Sequence, residues 1–155
     1  MVASQSRTLY QMNIVVDTNI IFSAIVNSNS AVMNIIVGGQ GKFKFHASDY
    51  THIELENHHE KLKKASKLND NEISIAKYEL FKYLHFITLD MIPENCWMEA
   101  EKLVKDVDID DIVFVALALY IHADLWTGDK ALYQGLKSKG FHKILFTAEL
   151  QQKLF

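Results

Sequence analysis

NIVVD, at residues 13–17, is a short apolar run that is rich in β-branched residues and ends in an acid. Continuous apolar runs of this kind are typical of strands that are buried on both faces of a parallel sheet. The run is therefore predicted to be the central strand of such a sheet. Asp17 stands where the chain would leave this strand, which makes it a candidate functional residue.

Four more short apolar stretches follow this strand, separated by segments with helical periodicity. Strands are predicted at residues 44–47, 86–89, 125–127 and 143–147. Helices are predicted at residues 19–26, 31–37, from 48 onward, 73–84, 93–104, 108–123 and 130–139, with a short helix at the end. No hairpin turn signal joins the strands. The alternation predicts an α/β fold with a five-stranded parallel sheet.

The length and composition limit the classes of protein to which the chain can belong. A chain of 155 residues, 49% apolar and 23% charged, has the size and composition of one globular domain. We expect residues 12–155 to form this domain and the polar residues 1–11 to be an N-terminal arm or a remnant of cloning. The single cysteine, Cys96, excludes an internal disulfide framework and a cysteine-based zinc ribbon, and it fits a cytoplasmic location.

The most apolar run, Ile112 to Ile121, is about half as long as a membrane span requires. It is predicted to be a buried helix, and no membrane association is expected. The formal net charge of −3 argues against a protein that coats duplex nucleic acid by electrostatics alone, because such proteins are strongly basic. Binding to nucleic acid through a metal ion stays open.

Acids follow the ends of several predicted strands, where ligands bind in open parallel sheets. Asp17 ends the first strand, Asp129 follows the fourth, and Glu54 lies in the helix after the second. The start of the apolar helix adds three more acids: Asp108, Asp110 and Asp111. Four separate segments are thus expected to bring carboxylates to one edge of the sheet.

Carboxylates that share a pocket repel one another unless a proton or a cation neutralises them. Mg²⁺ or Mn²⁺ is the simplest such cation, because both prefer oxygen ligands and often bind substrate phosphate as well. This chemistry predicts metal-assisted hydrolysis of a phosphodiester. A structural interpretation stands beside it, since an Asp at the start of a helix commonly caps the helix.

Other catalytic motifs are missing or incomplete. His52 and Glu54 form an H-x-E, but no Pro-Cys-x-x-Cys follows it, which excludes a zinc deaminase. The sequence has no phosphate-binding P-loop, no G-x-G-x-x-G and no G-x-S-x-G. A phosphoacceptor receiver domain, which also has acids at the strand ends, is disfavoured because the third strand lacks an acceptor Asp at its end.

Four blocks of the sequence together resemble the PIN domain family, and in particular its bacterial VapC-like branch, the toxin components of toxin–antitoxin pairs. The blocks are VVDTNIIFSA at 15–24, ASDYTHIELE at 47–56, DIDDIVFVALAL at 108–119 and LWTGDKAL at 125–132. The resemblance covers almost the whole chain from Met12. It implies a three-layer α/β/α sandwich and a Mg²⁺- or Mn²⁺-dependent ribonuclease.

The resemblance also implies roles for individual residues. Asp17, Asp111 and Asp129 would hold the metal directly or through water, and Glu54 would position it or act as a base. These four residues are the predicted catalytic set. Auxiliary roles are expected for Asn19, Asp108, Asp110 and Thr127, with Thr18 as a further polar neighbour.

Expected partners are an RNA substrate, a small antitoxin protein and a second copy of the chain. A basic run after Glu54 is predicted to guide RNA phosphates; it consists of Lys61, Lys63, Lys64 and Lys67. The alternative function is a non-catalytic module that keeps the fold and binds nucleic acid or protein.

Overall fold

The computed structural model of the protein describes residues 11–154. One all-parallel sheet contains the strands β1 (Met12–Val16), β2 (Phe43–Ser48), β3 (Leu84–Ile87), β4 (Asp124–Trp126) and β5 (Ile144–Leu145). Their order is β3-β2-β1-β4-β5. The prediction of a five-stranded parallel sheet with the NIVV run at its centre is thus confirmed.

Nine α-helices lie between or after the strands in the described part of the chain. They are α1 (Thr18–Val26), α2 (Ala31–Gly38), α3 (Tyr50–Asn57), α4 (His59–Ser66), α5 (Asp70–Phe81), α6 (Glu94–Val104), α7 (Ile112–Ile121), α8 (Lys130–Ser138) and α9 (Thr147–Leu154). Two short 3₁₀ turns occur at Leu89–Met91 and Ile109–Asp111.

Two hydrophobic cores flank the sheet. Ile14 and Val16 of β1 pack with α1 to α5 and α9 on one face, whereas Val15 packs with α6, α7 and α8 on the other. All three side chains are fully buried. Successive residues of a strand point to opposite faces, so a central strand with helices on both sides needs an unbroken apolar run. This is the three-layer α/β/α arrangement.

The strand order separates this fold from a receiver domain. Receiver-type doubly wound sheets have the order 2-1-3-4-5, whereas here β1 pairs with β2 on one side and with β4 on the other. In addition, β3 ends at Ile87 and is followed by Thr88 rather than by an acid. The topology excludes the receiver alternative.

Several predicted boundaries were wrong; the helix predicted at 73–84, for example, is Asp70–Phe81. The third strand starts at Leu84, two residues before the prediction, because Leu84 pairs with Phe45 of β2 and is buried there instead of ending a helix. The helix predicted for 108–123 begins only at Ile112. The Asp108 carboxylate accepts a hydrogen bond from the backbone N–H of Asp110, which favours a 3₁₀ turn over a regular α-helical turn.

Smaller differences concern the other elements. The helix predicted from residue 48 is divided at His58 into α3 and α4, and β5 contains only Ile144 and Leu145. The expectation of an arm at residues 1–11 falls outside the described residues except for Gln11. Between residues 11 and 154 no single helix is long and apolar enough to cross a membrane, although the bent pair α1 and α2, at 105°, passes the same test together.

A histidine is buried in the sheet away from the acids. His46 of β2 is 7% exposed, and its Nε2 lies 3.0 Å from the Asn13 Oδ1 of β1. Burial, and then the positive charges of Lys44 and His85, lower its pKa from 6.5 to about 4. Below pH 6.5 the unfolded chain binds a proton at this histidine more readily than the folded protein does. The folded protein therefore loses stability as the pH falls from 6.5 towards 4.

We predict that His46→Gln makes folding stability less sensitive to acid, since Gln can still donate a hydrogen bond to Asn13 but does not titrate. Between about pH 7.5 and about pH 5 the wild type should lose roughly 2 kcal/mol that the variant keeps. Urea unfolding of both proteins at the two pH values measures the difference. Equal losses in the two proteins would contradict the buried, neutral His46.

Candidate active site

Asp17 is the first residue after β1 and also caps the helix that follows. Its Oδ1 accepts a hydrogen bond from the backbone N–H of Asn19 at 3.1 Å. Its Oδ2 accepts one from the Thr127 Oγ1 at 2.8 Å. The side chain is only 2% exposed. Asp17 is therefore held in one orientation from two neighbouring strand ends, β1 and β4.

Glu54 reaches the same edge from α3. The Thr18 hydroxyl donates to its Oε1 at 2.7 Å, and the Thr18 Oγ1 lies 3.0 Å from the Thr51 Oγ1. Thr51 is fully buried and lies one helical turn before Glu54. The two threonines fix the glutamate against the start of α1. Thr51 had no assigned role in the sequence interpretation, although its spacing of three residues from Glu54 places both on one helix face.

Asp129 joins the site through the end of β4. Its backbone N–H donates to the Thr127 Oγ1 at 3.1 Å, and its Oδ1 accepts from the backbone N–H of Leu132, which caps α8. Thr127 thus links Asp129 to Asp17 through one buried hydroxyl. The capping interpretation is correct for both aspartates, and it does not compete with a functional role because the caps orient the carboxylates.

The fourth contribution comes from the 3₁₀ turn before α7. One carboxylate oxygen each from Asp108, Asp111 and Asp129 lies within 4.8 Å of the other two. Among residues 11–154 this is the group of acids whose spacing suits one cation. It contains two of the three predicted metal ligands, Asp111 and Asp129. Asp108, expected to be auxiliary, takes the third place, while Asp17 lies outside the group.

The remaining predicted auxiliary residues make different contributions. Asn19 is exposed and acts on the site through its backbone N–H, whereas Thr127 is fully buried and acts through its hydroxyl. Asp110 is exposed. Burial is the main cause that raises the pKa of Glu54, and the charges of Asp17 and then Asp110 add to the increase. The structure therefore brings all four catalytic candidates and their auxiliaries to the carboxyl edge of the sheet.

The electrostatics of the group are unfavourable in the absence of a cation. Burial raises the pKa of Asp17, and the hydrogen bonds from Thr127 and Asn19 oppose the increase. Burial and then the charges of Asp17, Asp108, Asp129 and Glu54 raise the pKa of Asp111 to about 7. The Asp111 Oδ2 is buried and has no hydrogen-bond partner. Such an oxygen is free to accept a cation or a proton.

The basic run is less uniform than predicted. Lys63 pairs with Asp70 at 3.0 Å, so part of its charge is neutralised. Lys61 lies 6.0 Å from the centre of the Phe22 ring on α1, and Lys64 is exposed. Lys67 ends α4 in a left-handed conformation, with φ at 63°. Lys61, Lys64 and Lys67 are the exposed members of the run.

The PIN domain family model matches residues 15–149, and the chain belongs to the PIN domain family. Two solved structures have the same fold. VapBC2 from Rickettsia felis, bound to a DNA fragment from its promoter, is 16% identical, with a TM-score of 0.60 over 87% of this chain and 97% of that one. PAE2754 from Pyrobaculum aerophilum is 14% identical, with a TM-score of 0.63 over 92% of this chain and 89% of that one. No curated protein sequence matches significantly.

We predict that Asp111→Asn stabilises the metal-free protein. Raising the folded-state pKa of an acid costs no stability below its ordinary pKa of 3.8, and the cost grows as the pH rises from 3.8 until it is complete above about 7. Because the group is partly exposed, solvent screening limits the gain to about 1–2 kcal/mol at pH 8. Thermal unfolding with a chelator at pH 8 and near pH 4 measures it. A variant that is less stable than the wild type at pH 8 would contradict the repulsion.

Proposed function

We propose that the protein is a Mg²⁺- or Mn²⁺-dependent endoribonuclease and the toxin of a toxin–antitoxin pair. The observation that carries the proposal is the group of three carboxylates, Asp108, Asp111 and Asp129, with oxygens within 4.8 Å of one another. Membership of the PIN domain family supports it. An RNA substrate implies a cytoplasmic site of action, which agrees with the single cysteine.

The donor set fits a small divalent cation. All three donors are carboxylate oxygens, which Mg²⁺ and Mn²⁺ prefer, and the chain supplies few enough of them to leave room for water and phosphate. The unpartnered Asp111 Oδ2 is the strongest indication, because a buried carboxylate oxygen without a donor is costly unless a cation or a proton compensates it. Asp17 lies outside this group of three acids. It would contact the cation through a water molecule, or it would act by holding the Thr127 hydroxyl in place.

A divalent ion in this group would supply acidification of the attacking water and neutralisation of the negative charge that grows on the phosphate. The chain supplies orientation and proton transfer. Thr18 holds the Glu54 Oε1, so that Oε2 is the atom that would take a proton from the water. Burial raises the pKa of Glu54, which makes it a better base than an exposed glutamate.

The test uses two substitutions that keep shape and remove charge. Asp17→Asn should abolish Mg²⁺-dependent cleavage of RNA, and Asp129→Asn should do the same while Asn still caps α8. We expect a loss of at least about a hundredfold in cleavage rate for each. Circular dichroism and thermal unfolding check that both variants are folded.

Asp90→Asn is the matched control, because Asp90 is an exposed acid outside the site. Full activity in either site variant would refute the assignment of these residues. Calorimetric titration with Mn²⁺ tests the alternative function. A wild-type protein that binds no Mn²⁺ and cuts no RNA would be the non-catalytic module.

We propose that RNA approaches across α4. Lys61, Lys64 and Lys67 expose their side chains there, and α4 begins at His59, directly after the helix that carries Glu54. Lysines along this path would offset the repulsion between the phosphates and the acid group. The overall charge of −3 does not by itself oppose RNA binding, because three of the lysines on this path keep their side chains exposed.

Replacing Lys61, Lys63, Lys64 and Lys67 together by Gln should weaken RNA binding and flatten its dependence on salt. Each lost phosphate contact lowers the slope of log K against log salt by about 0.7 for a single strand. The matched control replaces four lysines near the amino edge of the sheet: Lys42, Lys82, Lys143 and Lys153. Each set of four substitutions is combined with Asp17→Asn, which is expected to prevent cleavage of the RNA. Fluorescence anisotropy then measures RNA binding by both proteins over a range of salt concentrations. An unchanged slope in the first set would refute the path.

The proposed protein partner is a small antitoxin. One structural neighbour is VapBC2, whose crystal structure was determined with a bound DNA fragment from its promoter. By analogy we expect an adjacent reading frame for a small protein that binds this chain. Association of two copies of the chain also stays a prediction.

A further inference from the structure

Asp108 reaches the acid group from a loop that has no regular structure. The loop leaves α6 after Val104 and reaches the 3₁₀ turn at Ile109. Its internal hydrogen bonds run from the Val107 N–H to the Val104 carbonyl and from the Asp111 N–H to the Asp108 carbonyl. These local bonds shape the loop but do not fix its distance from Asp129, which belongs to a different part of the chain.

Helix α8 makes the contacts that fix this distance. Gly135 lies so close to Val107 that an added Cβ would be 2.6 Å from the Val107 Cγ2 and 2.9 Å from its Cγ1. The Lys139 Nζ, just beyond the helix, donates to the Lys102 carbonyl and to the Asp106 Oδ2, each at 3.2 Å. A hydrophobic contact and one polar contact thus join α8 and the residue after it to the loop, and a second polar contact joins them to the last turn of α6.

The same helix carries Asp129 at its start. Gly135 lies six residues later, about 9 Å along the helix axis. A Cβ at Gly135 would tilt towards the helix N-terminus, so Val107 lies on the side of Asp129. One rigid element therefore holds Asp129 directly and holds Asp108 through its neighbour Val107.

We propose that Gly135 and Lys139 are positioning residues that set the spacing of Asp108 and Asp111 relative to Asp129. We call the contacts of Gly135 with Val107 and of Lys139 with Asp106 and the Lys102 carbonyl the α8 clamp. The inference rests on the proposed metal-dependent function, because the spacing matters only if the three acids share a cation. Mg²⁺ and Mn²⁺ are sensitive to the spacing, since they require near-octahedral geometry.

Gly135→Ala tests the clamp. Ordinary contact begins at 3.4 Å, so Val107 would have to move by about 0.8 Å from its 2.6 Å approach and would carry Asp108 with it. We expect the Mn²⁺ affinity measured by calorimetry to fall about tenfold. The double variant Gly135→Ala with Val107→Ala should recover most of it, because only the Val107 Cβ, at 3.3 Å, then remains close.

Gly38→Ala is the matched control, since its added Cβ would meet only the Leu154 Cδ2, at 3.9 Å. It should leave the Mn²⁺ affinity unchanged. A fall without recovery in the double variant would overturn the inference, because loss of general stability would then explain it.

Lys139→Gln gives a second test that does not depend on packing. Loss of a positive charge by itself should strengthen cation binding, whereas loss of the clamp should weaken it. We expect Mn²⁺ affinity to fall about threefold with little change in thermal stability. Tighter binding would overturn the role of Lys139.

A metal-free measurement separates the clamp from the proposed function. In amide NMR spectra without metal, Gly135→Ala should shift the resonances of residues 109–111, which are not adjacent in sequence to either substituted residue, and the double variant should reverse these shifts. If Gly135→Ala leaves these resonances unshifted, the proposed role of the α8 clamp is overturned, whether or not the protein binds Mn²⁺. If the wild type binds no Mn²⁺ while the resonances shift and recover as expected, the clamp stands as a positioning device and the metal-dependent function fails.

Discussion

Repulsion between carboxylates at one edge of the sheet is the constraint on which the rest of the site depends. Burial and neighbouring charges raise the pKa of Asp111 to about 7, and Asp17 and Glu54 are shifted in the same direction. A fold would disperse such charges unless other interactions held them together. Threonine hydroxyls and backbone N–H groups do so here, because each can donate to a carboxylate without adding charge.

The aspartates that cap helices are also the ones that form the site. Asp17 caps α1 and Asp129 caps α8, and the hydroxyl of Thr127 connects the two. A cap orients a carboxylate at a helix start, where the helix dipole partly compensates its charge. Structural and chemical roles therefore reinforce each other, and a substitution to Asn separates them because it retains the cap and removes the charge.

The contributions of the two cores differ. On the side of α1, α3 provides Glu54 through a short network with Thr18 and Thr51. On the other side, Asp111 and Asp129 stand directly before α7 and α8, and the loop after α6 provides Asp108. The site therefore spans both faces of the sheet, and its geometry depends on the packing of helices that are far apart in sequence. The α8 clamp is the place where this dependence is most direct.

The sequence by itself determined the central strand and the parallel α/β class, because burial on both faces leaves a local pattern, and it placed acids after the strand ends. The choice of Asp17, Glu54, Asp111 and Asp129 among these acids came from the resemblance to the PIN domain family. The sequence did not determine which carboxylates would come closest together. Asp108 belongs to the group with Asp111 and Asp129, whereas Asp17, a predicted metal ligand, does not. Tertiary structure decided this spacing, since it depends on contacts such as Val107 with Gly135 that join residues far apart in the chain and have no local pattern.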